Sequence, residues 1–198
     1  MSTVINRKNQ QLQDPPFARF LFSDTRAAWF WLLVRVWLGW QWIEASTHKL
    51  GNPAWVQTGE AVKGFWTTAV AIPEVGRPPI NFDWYRSFLQ MMLDNEAYRW
   101  FGPMIAYGEL LIGIGLIVGG FTAIAAFFGA LLNWNFMMAG TASSNPLLFA
   151  LAVGIILAWK VAGYVGADYY LLRFLGTPWS GKKTERVVVL VPEAAAAD

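Results

Sequence analysis

The stretch 130-ALLNWNFMMAGTASSNP-146 joins an apolar segment to a polar turn that ends at Asn145 and Pro146. An apolar run of this length predicts a helix in an apolar environment, and the Gly, Ser, Thr and Asn residues that follow predict a turn. Two amides, Asn133 and Asn135, lie in the apolar part, where each costs free energy unless it is hydrogen-bonded. Residues two apart point in different directions on a helix. We therefore expect one amide to bond a neighbouring helix and the other to line a pocket.

The whole chain is apolar in composition, like the start of this stretch. Of its 198 residues, 56% are hydrophobic, 14% are charged and 12 are Trp. A soluble domain usually carries about 25% charged residues. Each of four apolar segments is long enough to cross a hydrocarbon core of roughly 30 Å. The sequence predicts an all-α fold, an integral membrane four-helix bundle, with spans at about 27–45, 103–119, 121–138 and 146–165.

The segments between the spans predict how the bundle is arranged. Spans two and three form a tight hairpin, whereas the loop 46–102 carries short amphipathic helices that lie at the membrane surface. We expect Pro103 and Pro146 in first helical turns, and Asn145 as the N-cap of span four. Residues 1–26 form a polar tail in which Asp14-Pro15-Pro16 prevents a helix, and residues 166–198 form a C-terminal tail. Both tails are basic, which predicts a multi-pass protein of the cell (inner) membrane with both termini in the cytoplasm.

Several chemistries are disfavoured by residue counts. The chain has no Cys and a single His. It therefore cannot form a disulfide, a thiolate nucleophile, a cysteine-held iron–sulfur cluster or a bis-histidine haem site within one chain. A zinc site is disfavoured for the same reason, and we expect no metal. The net charge of +2, spread over scattered basic residues, does not favour nucleic acid as a partner.

Polar residues within or beside the spans are the candidate functional residues, because charges at mid-bilayer cost roughly 2.5–3.5 kcal/mol. Arg35 and Glu109 are the candidate catalytic pair, and the alternative is an ion pair that only fixes helix one against helix two. The candidate ligand-binding residues are Asn133, Asn135, Tyr107, Glu44, His48, Lys49 and Asn145. The alternatives are interhelical hydrogen bonds for the asparagines and solvation at the surface for Glu44, His48 and Lys49. Together these side chains predict a polar cavity in the outer half of the bundle, roofed by the surface helices.

Three motifs resemble the DoxX family, which includes the DoxD-type subunits of thiosulfate:quinone oxidoreductase. The first is Arg35 followed by Gly39, Trp42 and Lys49-Leu50; the second is Glu109-Leu110 with Gly113 and Gly115. The third, N-W-N-F-M-M-A-G-T-A-S-S-N-P, is similar to the family's N-F-x-x-A-G-T-x-S-x-N-P. The resemblance covers about residues 27–165. Unlike the family, this chain has Glu44 and Ser46 where small residues often follow the tryptophan.

The resemblance implies a four-helix membrane protein that serves a redox complex at the quinone pool, with functional residues at Arg35, Lys49, Glu109, Asn135 and Asn145. We expect a membrane subunit of a quinone-linked oxidoreductase, without a covalently held cofactor, in which a quinone or a similar small ligand occupies the cavity. Electrons then come from another subunit, and thiosulfate oxidation is not assigned to this chain. The alternative is a structural or assembly subunit of a larger membrane complex. A transporter is less favoured because no inverted repeat is visible. The expected partners are the bilayer and other membrane or redox subunits.

Overall fold

The computed structural model describes residues 14–174, and every regular element in this range is helical. The prediction of an all-α fold is therefore confirmed. Four longer helices lie side by side: α2 (Ala28–Leu50), α6 (Tyr98–Val118), α7 (Thr122–Met138) and α8 (Asn145–Leu157). Shorter helices cover the two ends of this bundle: α1 (Pro16–Ser23), α3 (Pro53–Val56), α4 (Glu60–Val70), α5 (Asp83–Asp94), α9 (Trp159–Ala162) and α10 (Asp168–Phe174).

The contact between α2 and α6 is the most extensive in the bundle, and it depends on two glycines. A Cβ placed on Gly39 would lie 2.8 Å from the carbonyl oxygen of Gly113. A Cβ on Gly113 would lie 2.8 Å from the carbonyl oxygen of Gly39. Side chains at these positions would hold the backbones apart, so the glycines allow the two helices to touch. Further along, Arg35 of α2 contacts Leu116 of α6, which makes the pair antiparallel.

The turn between α6 and α7 is short because Gly119 adopts a left-handed conformation with φ +69°. This glycine ends α6, and its N–H bonds the carbonyl of Gly115. Helix α7 then returns along α6, with Ala125 against Gly115. Helix α8 packs on α7 through small and branched side chains that are fully buried, among them Ala126, Ala152 and Ile155.

The bundle has two different ends. The roofed end, where α2 and α7 finish, is covered by α3, α4 and α5. Their buried residues Trp66, Tyr85 and Leu89 share one cluster with Ile105 of α6. The tail end, where α2 begins and α6 finishes, carries α1, α9 and α10. There the indole of Trp31 donates a 2.7 Å hydrogen bond to the carbonyl of Leu21 in α1.

Helix α1 corrects the prediction that residues 1–26 contain no helix. Pro15 takes the N-cap position and Pro16 begins the helix, where the missing N–H of proline breaks no bond. The same dipeptide that interrupts a helix in its interior therefore starts one here. Leu21 and Phe22 pack against the core of the bundle. The rest of the predicted tails, residues 1–13 and 175–198, lies outside the described residues.

Other helix boundaries also differ from the prediction. Helix α2 extends to Leu50, and α6 begins at Tyr98, so that Pro103 lies inside the helix and not in its first turn. The predicted fourth span is divided at Ala158 into α8 and α9. Asn145 is the first residue of α8 and not its N-cap, because its side chain donates to the carbonyl of Thr141, which precedes the helix, at 3.0 Å.

Among the described helices, α6 alone is both long enough and apolar enough to cross a membrane by length and composition. Helix α2 is longer, but its charged residues and tryptophans lower its mean hydropathy. Helices α7 and α8 are apolar and shorter, at 17 and 13 residues. Buried helices of soluble proteins have the same character as α6, so the four-span arrangement stays a prediction.

The Gly39–Gly113 contact yields a stability prediction. We expect Gly39→Ala to lower the free energy of unfolding by about 1–3 kcal/mol, because the new methyl group meets backbone atoms that cannot move aside. Thermal unfolding followed by circular dichroism in one detergent measures the change. Gly108→Ala is the control, since a Cβ at Gly108 meets no atom within 4 Å. Equal stability of both variants would contradict the proposed packing role.

Candidate functional site

Glu109 forms a buried ion pair with Lys49 under the roofed end. The Glu109 side chain is only 1% exposed, and its Oε2 lies 2.6 Å from the Nζ of Lys49, which is 17% exposed. Lys49 comes from the last turn of α2, and its Nζ lies 5.2 Å from the ring centroid of Trp55 in α3. A carboxylate buried this deeply requires a cation beside it. The pair therefore joins α2, α6 and the roof.

Arg35 does not pair with Glu109, which corrects the predicted ion pair. Its guanidinium donates to the carbonyl oxygens of Leu116 at 2.5 Å and Ile117 at 2.7 Å, and to that of Val165. The last carbonyls of a helix have no partner within the helix and carry partial negative charge. Arg35 thus binds the C-terminal end of α6 at the tail end, whereas Glu109 lies about two turns away along α6, toward the roof.

Asp168 completes the tail end, and sequence reasoning missed it. Its carboxylate accepts hydrogen bonds from the backbone N–H of Phe121 at 2.6 Å and of Thr122 at 2.8 Å, at the start of α7. Its own N–H donates to the carbonyl of Gly119 at 2.7 Å. We call Arg35 and Asp168, with the α6–α7 turn between them, the tail-end clamp. No local pattern signals this role, because the partners are backbone groups far away in the sequence.

The two asparagines of the NWN segment have separate surroundings. Asn133 is fully buried, and neither atom of its amide has a hydrogen-bond partner. Asn135 is half-buried and accepts a 3.0 Å hydrogen bond at Oδ1 from the hydroxyl of Tyr85, while its Nδ2 donates to the carbonyl of Leu131 at 2.8 Å. The spacing of Phe88, Leu89 and Met92 in α5 also places Tyr85 on their face, a signal that the sequence reading did not use.

The remaining predicted residues do not join these groups. Glu44, His48 and Tyr107 lie on exposed surfaces, and Tyr107 is 56% exposed. Asn145 bonds within its own turn. Of the nine predicted residues, the structure brings together only Lys49 and Glu109. The predicted polar cavity is therefore not formed by this set, because helix rotation turns several of the side chains outward.

An apolar cavity of about 630 Å³ lies between α6 and α7 beneath the roof. It follows α6 from Ile105 to the turn at Gly120, about 22 Å at 1.5 Å per residue. Apart from two indole rings, its polar side chains are Tyr85 and Asn135, both at the roofed end. Several lining side chains are also exposed on the outer surface, so the cavity opens sideways between the helices: Leu111, Ile114, Ile124, Phe128 and Leu131.

Tyr85 is one of the two hydrogen-bonding side chains at the roofed end of this cavity. Burial raises the pKa of its phenol to about 12, so the hydroxyl keeps its proton at neutral pH. It bonds both the side chain and the carbonyl of Asn135. Among residues 14–174, no group of three or more acidic or histidine side chains is placed to hold a metal ion. The chemistry available within the cavity is therefore apolar contact along its length and hydrogen bonding at one end.

Comparisons of the chain with protein-family models, with curated proteins and with solved structures give no match. The resemblance to the DoxX family rests on the motif residues alone and stays a prediction.

The Lys49–Glu109 pair yields an asymmetric stability prediction. We expect Lys49→Met to cost about 3 kcal/mol, because it leaves a buried carboxylate without a cation. Glu109→Gln should cost about 1 kcal/mol, since the partly exposed ammonium group can turn toward water. Unfolding by a denaturing detergent measures both. The double variant should be more stable than Lys49→Met alone; strictly additive losses would show that the two side chains do not interact.

Proposed function

We propose that this chain is a multi-pass membrane protein of the inner membrane whose four bundle helices cross the bilayer with the tail end toward the cytoplasm. Large apolar side chains cover the outside of the bundle, where water would solvate them poorly. Leu33, for example, is 72% exposed in the second turn of α2. The same holds on the three longest helices, with Trp29 and Trp40 on α2, Leu111 and Val118 on α6, and Phe127 and Leu131 on α7.

The charge distribution supports the proposed orientation. Arg19, Arg26 and Arg173 lie at the tail end, next to the first and last bundle helices, where positive charge marks the cytoplasmic side. The roofed end also has basic residues: Lys49 and Arg99 lie in the end turns of α2 and α6, and Lys63, Arg77 and Arg86 belong to the long segment between these helices. Such long segments carry less weight in this rule.

The absence of cysteine allows a direct test of the orientation. Ser23 precedes α2 and Ser87 lies in α5, and both are exposed, so that a cysteine at either position can be reached by a reagent. In intact cells we expect a membrane-impermeant maleimide to modify Ser87→Cys, and to modify Ser23→Cys only after lysis. Ser144→Cys, between α7 and α8, should behave like Ser87→Cys. Equal labelling of all three variants in intact cells would contradict the proposal.

We further propose that the protein is a subunit of a quinone-linked oxidoreductase and that the α6–α7 cavity holds the quinone. The cavity is the single observation that carries this proposal. A quinone with an isoprenoid tail has carbonyl oxygens at one end and a long apolar chain at the other. The cavity has the matching arrangement, with donors Tyr85 and Asn135 under the roof and an apolar channel that opens toward lipid. Contact between the isoprenoid tail and the apolar channel buries most of the quinone surface, and the two donors orient the ring.

The residues of the chain have distinct tasks in this proposal. The protonated Tyr85 hydroxyl donates to a quinone carbonyl, exchanging its bond with Asn135. Phe65 and Trp66 of α4 exclude water above the ring. The bound quinone supplies the capacity to accept two electrons and two protons, and a partner redox subunit supplies the electrons. Lys49 and Glu109 hold the neighbouring side of α6 against α2, and Gly108, beside Glu109, faces the cavity.

A structural or assembly subunit is the second candidate function. One observation favours it: Arg35 and Glu109, the two charges predicted to be catalytic, are both engaged in contacts that hold helices together. In that case the cavity holds an ordinary lipid chain, and the exposed aromatic faces contact other subunits.

Gly108 distinguishes the two functions because it lines the cavity and a Cβ there meets no atom within 4 Å. Gly108→Leu should fill the cavity without disturbing the helices. With the protein in nanodiscs, we expect it to weaken binding of a benzoquinone with a ten-carbon tail by about tenfold or more, as followed by tryptophan quenching. Gly64→Leu is the matched control, since Gly64 is equally free of neighbours but lies on an exposed face of α4.

Two results would count against the quinone proposal. One is unchanged binding in Gly108→Leu, and the other is an equal loss in both variants. If Gly108→Leu instead abolished binding while the protein still assembled with its partners, the assembly function alone would no longer account for the cavity.

A further inference from the structure

Helix α5 carries three large apolar side chains that the bundle leaves exposed. Trp84 is 58% exposed, Phe88 is 40% exposed and Met91 is 51% exposed. Their spacing of four and then three residues places them on one face of the helix. We call these three residues the α5 stripe. Large apolar side chains gathered on one exposed face mark a surface that lipid or another molecule covers.

The α5 stripe lies between a buried side and a polar side of the same helix. On the buried side, Tyr85 and Leu89 belong to the core under the roof, and Met92 packs against it. The polar side consists of exposed residues: Asp83, Ser87, Gln90 and Asp94. Each side is displaced from the next by one residue, roughly 100° around the helix. An apolar flank next to a polar face is typical of a helix that lies in a membrane interface.

The contacts of Tyr85 place α5 at the depth of the last turn of α7. The Tyr85 hydroxyl donates to Oδ1 of Asn135 at 3.0 Å and lies 3.1 Å from the carbonyl oxygen of the same residue. Helix α7 ends three residues later, at Met138. That is about 4.5 Å at 1.5 Å per residue. The end of a membrane-crossing helix lies near the headgroups, so α5 has the depth of an interfacial helix.

The α5 stripe is continuous with the outer surface of α7. The rings of Trp84 and Tyr85 are 5.5 Å apart, and those of Tyr85 and Trp134 are 6.1 Å apart. Trp134 is itself 37% exposed near the end of α7, a position where tryptophan is enriched in membrane proteins. Phe88 is exposed and also lines the α6–α7 cavity. The stripe therefore adjoins both the outer wall of the bundle and the cavity that opens through it.

Helix α4, the other long helix of the roof, has a different outer surface. Its buried residues are Val62, Trp66 and Ala69. Its exposed residues are small or polar: Glu60, Gly64, Thr67 and Thr68. Such a surface is suited to water and offers lipid no apolar contact.

We infer that phospholipid of the outer leaflet covers the α5 stripe, so that α5 lies in the membrane interface while α4 stands in water. This inference rests on the proposed crossing of the bilayer by the bundle. The continuity of the stripe with the outside of α7 favours lipid as the occupant over a soluble subunit. Helix α5 then holds Tyr85 at headgroup depth, where the polar end of an amphiphile that comes from the bilayer also lies.

Nitroxide labels in nanodiscs of phosphatidylcholine test this inference, since the chain has no cysteine of its own. Oxygen collides with labels in lipid, whereas a nickel chelate collides with labels in water. We expect oxygen to dominate at Trp84→Cys and Met91→Cys. Nickel should dominate at Ser87→Cys, on the polar side of α5, and at Thr67→Cys on α4. Leu33→Cys on α2 is the control for the crossing of the bilayer and should resemble Met91→Cys.

The pattern of labels separates failure of this inference from failure of the proposed membrane crossing. If nickel dominates at Trp84→Cys and Met91→Cys while oxygen dominates at Leu33→Cys, the bundle crosses the bilayer, but the stripe is open to a soluble partner and the inference is overturned. If nickel dominates at Leu33→Cys as well, the proposed crossing fails and the inference fails with it. Circular dichroism shows whether each variant is folded. If Trp84→Cys is not, Met91→Cys decides the question, because it leaves the ring contacts of Trp84 intact.

Discussion

The close contact between α2 and α6 fixes the position of every other element. Gly39 and Gly113 bring the two backbones together, and a charged group of α2 then meets α6 at each end of the contact. At one end Arg35 binds the final carbonyls of α6. At the other end Lys49 meets Glu109. These two cations are separated by 14 residues along α2 and therefore lie toward opposite ends of the bundle, and each is matched by negative charge from α6.

The tail-end clamp also fixes the position of α7 relative to α2 and α6. The carboxylate of Asp168 accepts hydrogen bonds from the free backbone N–H groups at the start of α7. The guanidinium of Arg35 donates hydrogen bonds to the last carbonyls of α6. Both helix ends of the hairpin are thus neutralised by opposite charges at the same place. Glycines at 119, 163 and 166 leave room for these two side chains, since a Cβ at any of them would collide with Arg35 or Asp168. The hairpin is consequently held in one orientation against α2.

The hairpin is fixed at the tail end by the clamp and is covered at the roofed end by α4 and α5. Between these two ends a long gap remains between α6 and α7. Gly108 leaves that gap open, since a Cβ there meets no atom within 4 Å, and aromatic rings from α4, α5 and α7 line it. Polar groups are concentrated at one end only. This separation of an apolar length from a hydrogen-bonding end is what makes an amphiphilic molecule with a long tail a suitable occupant. The charged pair of α2 and α6 lies outside the gap and serves to keep its wall rigid.

Much of the helical architecture could be predicted from the sequence, because it depends on local properties. Apolar runs, the Gly119-Gly120 turn and the amphipathic pattern of the segment between spans one and two each indicated an element that the structure contains. Boundaries were less accurate where a contact from elsewhere extends or starts a helix. Lys49 prolongs α2 by reaching Glu109, and α1 forms because Leu21 and Phe22 gain a core to pack against.

The sequence by itself determined that the chain is helical, apolar and equipped with a small number of expensive buried polar groups. Only the tertiary structure decided which of those groups meet. Glu109 pairs with Lys49 and not with Arg35, Asp168 serves a helix far away in the chain, and Asn133 and Asn135 face different neighbours. These partnerships depend on the rotation and register of helices that are distant in sequence. Rotation and register follow from the close approach of backbones at Gly39 and Gly113, which no local pattern encodes.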